Sequence, residues 1–120
     1  MEKILIVDDA GFIRMRIKNT LQKIGYTDFC EAANGYEAVN VYDDEKPSLV
    51  IMDITMPEMD GIEALKRIRE KHPDAKVVIT GAIGQEAEFA EGIRAGAEDS
   101  LIKPFTDSSI QGCVSRNLNS

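Results

Sequence analysis

Four ionisable residues stand where the most apolar stretches of the chain stop. Asp8 and Asp9 follow "KILIV", Asp53 ends "SLVIM", and Lys103 ends "DSLI". Three carboxylates brought together repel one another, and at least one stays protonated unless a cation is bound. A hard divalent ion such as Mg2+, with oxygen ligands and retained waters, relieves that repulsion. The set suits phosphoryl chemistry on a carboxylate: one acid attacks, two hold the metal, and the ammonium neutralises the transferred group. Plainer readings stand beside this one. Asp9 could simply cap a helix, Asp8 and Lys103 could form a surface ion pair of little energetic consequence, and Asp60 reads only as a cap.

The elements that must position these residues alternate along the chain. Short apolar runs at "KILIVD", "DFCEAA", "SLVIMD", "KVVIT" and "DSLIK" are strand candidates. Between them lie helical patterns. Ile13, Ile17, Leu21 and Ile24 recur at helical spacing before Gly25. Asn34 with Glu37, and Asp60 with Glu63, are N-terminal capping patterns, the second followed by Ile62, Leu65 and Ile68. Phe89, Ala90, Ile93 and Ala97 predict the apolar face of a fourth helix, and Ile110, Val114 and Leu118 that of a fifth. Five βα units with short loops predict an α/β domain with a parallel sheet and helices on both faces. In such sheets ligands bind outside the carboxyl ends of the strands, so Asp8, Asp9, Asp53 and Lys103 are expected to share one pocket.

Composition narrows the function classes. The 120 residues are 43% hydrophobic and 29% charged, ordinary for a soluble globular domain. A net charge of −7 argues against a nucleic-acid surface, which needs a basic patch. No apolar run approaches the ~20 residues of a membrane span, and "MEKILIVDD" has no signal-peptide pattern, so a cytoplasmic protein is expected. Cys30 and Cys113 share no motif spacing with each other or with His72. They read as free, buried thiols in a reducing compartment rather than zinc ligands.

The motifs "IVDD" at 6–9, "MDITMPEMDG" at 52–61 and "IKPF" at 102–105 resemble the receiver domain of two-component response regulators, closest to its single-domain chemotaxis type. The resemblance covers nearly the whole chain. It implies a flavodoxin-like sheet of order 2-1-3-4-5 within one receiver domain spanning 1–120, with no output domain. It further implies that Asp53 accepts a phosphoryl group from a histidine kinase. Asp8 and Asp9 would bind Mg2+ with Asp53 and the main-chain carbonyl of Thr55, Lys103 would contact the phosphoryl group, and Lys103–Pro104 would be cis. The protein would be a monomeric switch that catalyses only its own phosphorylation and dephosphorylation. Its target would be a downstream protein such as a flagellar motor switch, not nucleic acid or membrane.

Two positions depart from the family pattern. Where the family carries a Thr or Ser 22 residues before the lysine this chain has Gly81, with Thr80 one place before and the usual small residue, Ala82, after it. Where it carries an aromatic residue three places before the lysine, the chain has Ser100. The glycines of "GAIG" (81–84) predict a flexible loop after the fourth strand. Without the hydroxyl–aromatic switch, a phosphate sink or phosphorelay intermediate is an alternative to a signalling switch. The last helix spends its interior on Ser, Gly and Asn, with Gly112 costing about 1 kcal/mol relative to Ala; fraying near its end is expected. Other classes fit less well. A haloacid-dehalogenase-like phosphatase needs a second acid two residues after its nucleophile, where this chain has Thr55. A flavodoxin-type protein would set Asp8 and Asp9 against a flavin phosphate.

Overall fold

In the computed structural model, which describes residues 2–118, the chain alternates strand and helix five times. The order is β1 (Lys3–Val7), α1 (Gly11–Gln22), β2 (Asp28–Ala32), α2 (Gly35–Glu45), β3 (Leu49–Asp53), α3 (Gly61–Lys71), β4 (Val77–Ala82), α4 (Glu86–Arg94), β5 (Asp99–Lys103) and α5 (Asp107–Leu118). All neighbouring strands pair in parallel, in the order β2-β1-β3-β4-β5.

The uninterrupted apolar runs conceal a two-residue alternation, because successive side chains leave a strand on opposite faces. Leu5, Val7, Val50, Met52, Val77 and Ile79 face α2, α3 and α4. Ile4, Ile6, Leu49, Ile51, Val78 and Leu101 face α1 and α5, packing on Ile17, Leu21, Ile110, Cys113 and Val114. Continuing the second series by one step on β1, β3 and β5 reaches Asp8, Asp53 and Lys103. The parity that fills the core therefore sends all three polar groups toward the same side of the same edge.

The capping patterns form as expected. Asn34 Oδ1 accepts from Glu37 N at 2.9 Å, and Asp60 Oδ1 from Glu63 N at 2.9 Å. Three local expectations are corrected. Gly81 and Ala82 are not loop residues; they finish β4, paired with Ile102 and Lys103, and the turn is confined to Ile83 and Gly84. On α4 the contact face runs through buried Gly92 and half-buried Phe89, leaving Ala90 and Ile93 exposed, because the missing side chain at Gly92 lets the helix settle onto Ile79. Ala97, expected on that face, lies beyond the helix and is buried. Helix α1 ends at Gln22, so Ile24 falls in the following turn and is exposed.

Helix α5 keeps its apolar stripe through Leu118, and Asn117 Nδ2 donates to the Cys113 carbonyl at 2.8 Å. Fraying at residues 119–120 lies outside the described residues. Cys113 is buried as expected, whereas Cys30 is only half-buried. Burial pushes the Cys30 thiol up to about 11 and the Cys113 thiol up to about 12, so both are protonated at neutral pH. No helix among the described residues is long and apolar enough to cross a membrane.

Candidate functional site

Asp8, immediately after β1, is buried, and its Oδ1 accepts from Ala10 N at 2.9 Å, which turns the chain into α1. That contact leaves the helix N-cap to Ala10, with no side-chain cap, so Asp9 does not cap α1. Asp9 is exposed instead and points its carboxylate at the other two acids: one oxygen each from Asp8, Asp9 and Asp53 lie within 4.8 Å of one another.

Asp53 is the last residue of the fully buried strand β3 and is itself 6% exposed. The loop after it folds back tightly. Gly61 N donates to Ile54 O at 2.8 Å, and a Cβ on Gly61 would stand 2.0 Å from the carbonyl oxygen of Asp53. Any other residue at 61 would push the loop off the acid. Pro57 belongs to the same return, its carbonyl accepting from Met59 N at 2.8 Å. Thr55 N donates to Asp53 Oδ1 at 3.4 Å.

Lys103 completes the cluster from β5. Its Nζ lies 2.9 Å from Asp8 Oδ2 and 3.1 Å from Asp53 Oδ2, and the following Lys103–Pro104 bond is cis. Burial pushes the Asp53 carboxyl above the ordinary carboxylate range and the Asp8 charge adds to this, while the Lys103 ammonium and Thr55 N–H pull against them. For Lys103, desolvation works toward the neutral amine, but the bonds to Asp8 and Asp53 win and hold the ammonium above its ordinary value. Three carboxylates face one ammonium, and all the donors are hard oxygens. Asp9 lies at the solvent side, so a cation held there keeps access to water. The residues fit a hydrated Mg2+.

Of the positions compared with the family's switch residues, Ser100 borders a surface hollow of about 390 Å³ with Leu101, Ile102, Pro104, Thr106, Ser109 and Arg116. Ala82 lies beside Lys103 in the sheet register. Gly81 faces the opposite side of the sheet from Thr80: Thr80 shares the parity of Val78 and is buried, and the register shows no slip that could bring its hydroxyl to Gly81's place. Sequence reasoning missed Gln85, whose carboxamide occupies the space beside Gly81. It also missed Arg14, which donates to the Asp8 carbonyl and pairs with Glu31 at 2.9 Å. The signal for Gln85 was a glycine four residues before a long polar side chain at a helix start.

Comparison with known proteins bears on the whole chain. Residues 4–115 match the family described as response regulator receiver domain. The chain is 50% identical over 109 residues to "Chemotaxis protein CheY" of Thermotoga maritima, covering 91% of each. It is 46% identical over 117 residues to the protein of that name in Bacillus subtilis, covering 98% of each. Among solved structures, the CheX-CheY-BeF3-Mg+2 complex from Borrelia burgdorferi superimposes with a TM-score of 0.91 at 32% identity, over 96% of this chain and 87% of that one.

Proposed function

The chain belongs to the response regulator receiver family, as a phosphorylation-dependent signalling switch of the chemotaxis kind, and on that premise we propose how its site works. Asp53 is the phosphoacceptor. One Asp53 carboxylate oxygen attacks the phosphorus of a kinase phosphohistidine; the new O–P bond forms as the N–P bond breaks, and the electron pair returns to the imidazole. The observation that carries this reading is Lys103 Nζ set between Asp8 Oδ2 and Asp53 Oδ2. That ammonium opposes the burial that favours the protonated Asp53 carboxyl and then faces the incoming phosphoryl oxygens.

Asp8, Asp9, Asp53 and the main-chain carbonyl of Thr55 would hold Mg2+, which supplies neutralisation of phosphoryl charge. Thr55 N–H, already on Asp53 Oδ1, orients the nucleophile. The partners on this reading are a histidine kinase, a downstream protein target such as a flagellar motor switch, and a CheX-like protein. All of them would be met in the cytoplasm. The relative from Borrelia burgdorferi, whose complex contains BeF3 and Mg+2, supports the metal and supplies the probe.

The test is incubation with acetyl phosphate and Mg2+ followed by intact mass. One phosphoryl adduct is expected in the wild type and none in Asp53→Asn or in EDTA. Unchanged labelling in either control removes Asp53, or the metal, from the reaction. A second reading, a phosphate sink or phosphorelay intermediate, is favoured by Gly81 and Ser100, which lack the groups that would relay phosphorylation to the surface.

A further inference from the structure

Gln85 opens α4 from the N-cap position, yet its side chain makes no capping bond to the helix. It turns back instead. Its Oε1 accepts the Ala82 N–H at 2.7 Å, and its Nε2 donates to Thr55 Oγ1 at 2.9 Å. One carboxamide thus ties the end of β4 to the residue whose own N–H is on Asp53. Glycine at 81 gives it the room: a Cβ there would stand 2.8 Å from Gln85 Oε1 and 3.1 Å from both Ile54 Cδ1 and Phe89 Cζ. The carboxamide occupies the space that a side chain at 81 would claim.

Ala82 sits beside Lys103 in the sheet, and Lys103 Nζ is on Asp53, so the Ala82 N–H belongs to the strand end next to the phosphoacceptor. We propose that Gln85 is a latch on the phosphoacceptor site: its carboxamide holds the Ala82 N–H and the Thr55 hydroxyl in the unphosphorylated protein, and a phosphoryl group on Asp53 must take that N–H from it. The inference rests on Asp53 being the acceptor. Phosphoryl oxygens are anionic, so their bond to an N–H is roughly twice as strong as that of a neutral carboxamide, and the exchange runs toward phosphorylation. The bond from Ala82 N–H to Gln85 exists only in the unphosphorylated arrangement, and a ligand shifts an equilibrium only by its difference between states. Gln85 therefore lowers phosphoryl affinity. It is a positioning residue that acts through Ala82 and Thr55.

The experiment titrates beryllofluoride with Mg2+ into wild type, Gln85→Ala, Gly81→Ala and the double variant by calorimetry, and follows Ala82 amide exchange by NMR without ligand. Gln85→Ala should bind beryllofluoride roughly three- to tenfold more tightly and exchange Ala82 faster in the free protein. Gly81→Ala, which evicts the carboxamide while leaving Gln85 in place, should do the same, and the double variant should add nothing to either single change. Equal or weaker binding in Gln85→Ala overturns the latch, as do additive effects. If the wild type takes up no beryllofluoride, the reading of Asp53 as acceptor falls. Ala82 exchange in the free protein then decides the latch by itself: faster exchange in both single variants upholds the bond, and unchanged exchange overturns it.

Discussion

Lys103 Nζ lies 3.1 Å from Asp53 Oδ2, although 50 residues separate the two in sequence. The contact joins β5 to β3 across the end of β4, which lies between them in the sheet. Replacing the ammonium by an apolar group, as in Lys103→Met, leaves Asp8 and Asp53 buried without their cation. Metal-free stability should fall by about 2 kcal/mol, less than for a fully buried pair because Lys103 keeps some solvent. Phosphoryl incorporation from acetyl phosphate should drop on the order of a hundredfold. Urea unfolding and intact mass measure the two effects; a stable variant with unimpaired labelling would refute the assigned role.

Asp9 has no capping bond to lose. Asp9→Asn should therefore raise the metal-free melting temperature by relieving repulsion within the acid cluster, and weaken Mg2+ binding roughly tenfold or more. Thermal scans with and without Mg2+ check both signs together. A lower melting temperature with Mg2+ affinity intact would return Asp9 to a purely structural role.

Asp99 anchors the last helix: its Oδ2 accepts from Arg116 Nη2 at 2.9 Å and from Asn117 Nδ2 at 3.2 Å. Desolvation works to raise its carboxyl, but the bonds from Arg116, Ser100 N–H and Asn117 outweigh it and hold the group below its ordinary value of 3.8. A depressed carboxylate stabilises the fold above its unfolded value and loses that contribution as pH falls through the folded one. Asp99→Asn should cost about 1 kcal/mol at pH 7. The gap from wild type should hold down to about pH 4 and close below it. Urea midpoints across this range test the window, and a gap that widens in acid contradicts the assignment.

A Cβ on Gly92 would stand 2.3 Å from Ile79 Cδ1, deep in the core. Gly92→Ala gains helix propensity but forces α4 off β4, so a net loss of about 1 kcal/mol is expected. Ile79→Val removes the obstructing atom. The double variant should recover most of the loss, which makes the pair strongly non-additive in a double-mutant cycle. Additive costs would show that α4 is held elsewhere.

Phosphorylation should alter the α4–β5–α5 side only slightly, because Gly81 offers no hydroxyl and Ser100 has too little volume to report a change through packing. The hollow beside Ser100 leaves room for a ring. Amide exchange with beryllofluoride and Mg2+ should change weakly across residues 98–118 in the wild type and strongly in Gly81→Thr/Ser100→Tyr. Strong wild-type changes there would end the weak-switch idea.

The strands, the capped helices and the acids and lysine at the strand ends were legible in the sequence, because each rests on local chemistry. Apolar runs bounded by charge, Asn34 and Asp60 three residues before a Glu, and acids ending two core strands need no distant partner to be recognised. Gly61 was visible too, though the reason for it, the Asp53 carbonyl 2.0 Å from where its Cβ would be, was not. Tertiary structure decided what depends on which surfaces meet. Helical spacing could not say that α4 would turn Gly92 rather than Ile93 inward, since that follows from the shape of Ile79 beneath it. Nor could periodicity tell that Gly81 lies within a strand, because its pairing with Ile102 comes from β5, a separate stretch of chain. Gln85 is the clearest case. Its side chain has no fixed role until β3 and β4 lie side by side, and only then do Thr55 and Ala82 come within reach of one carboxamide.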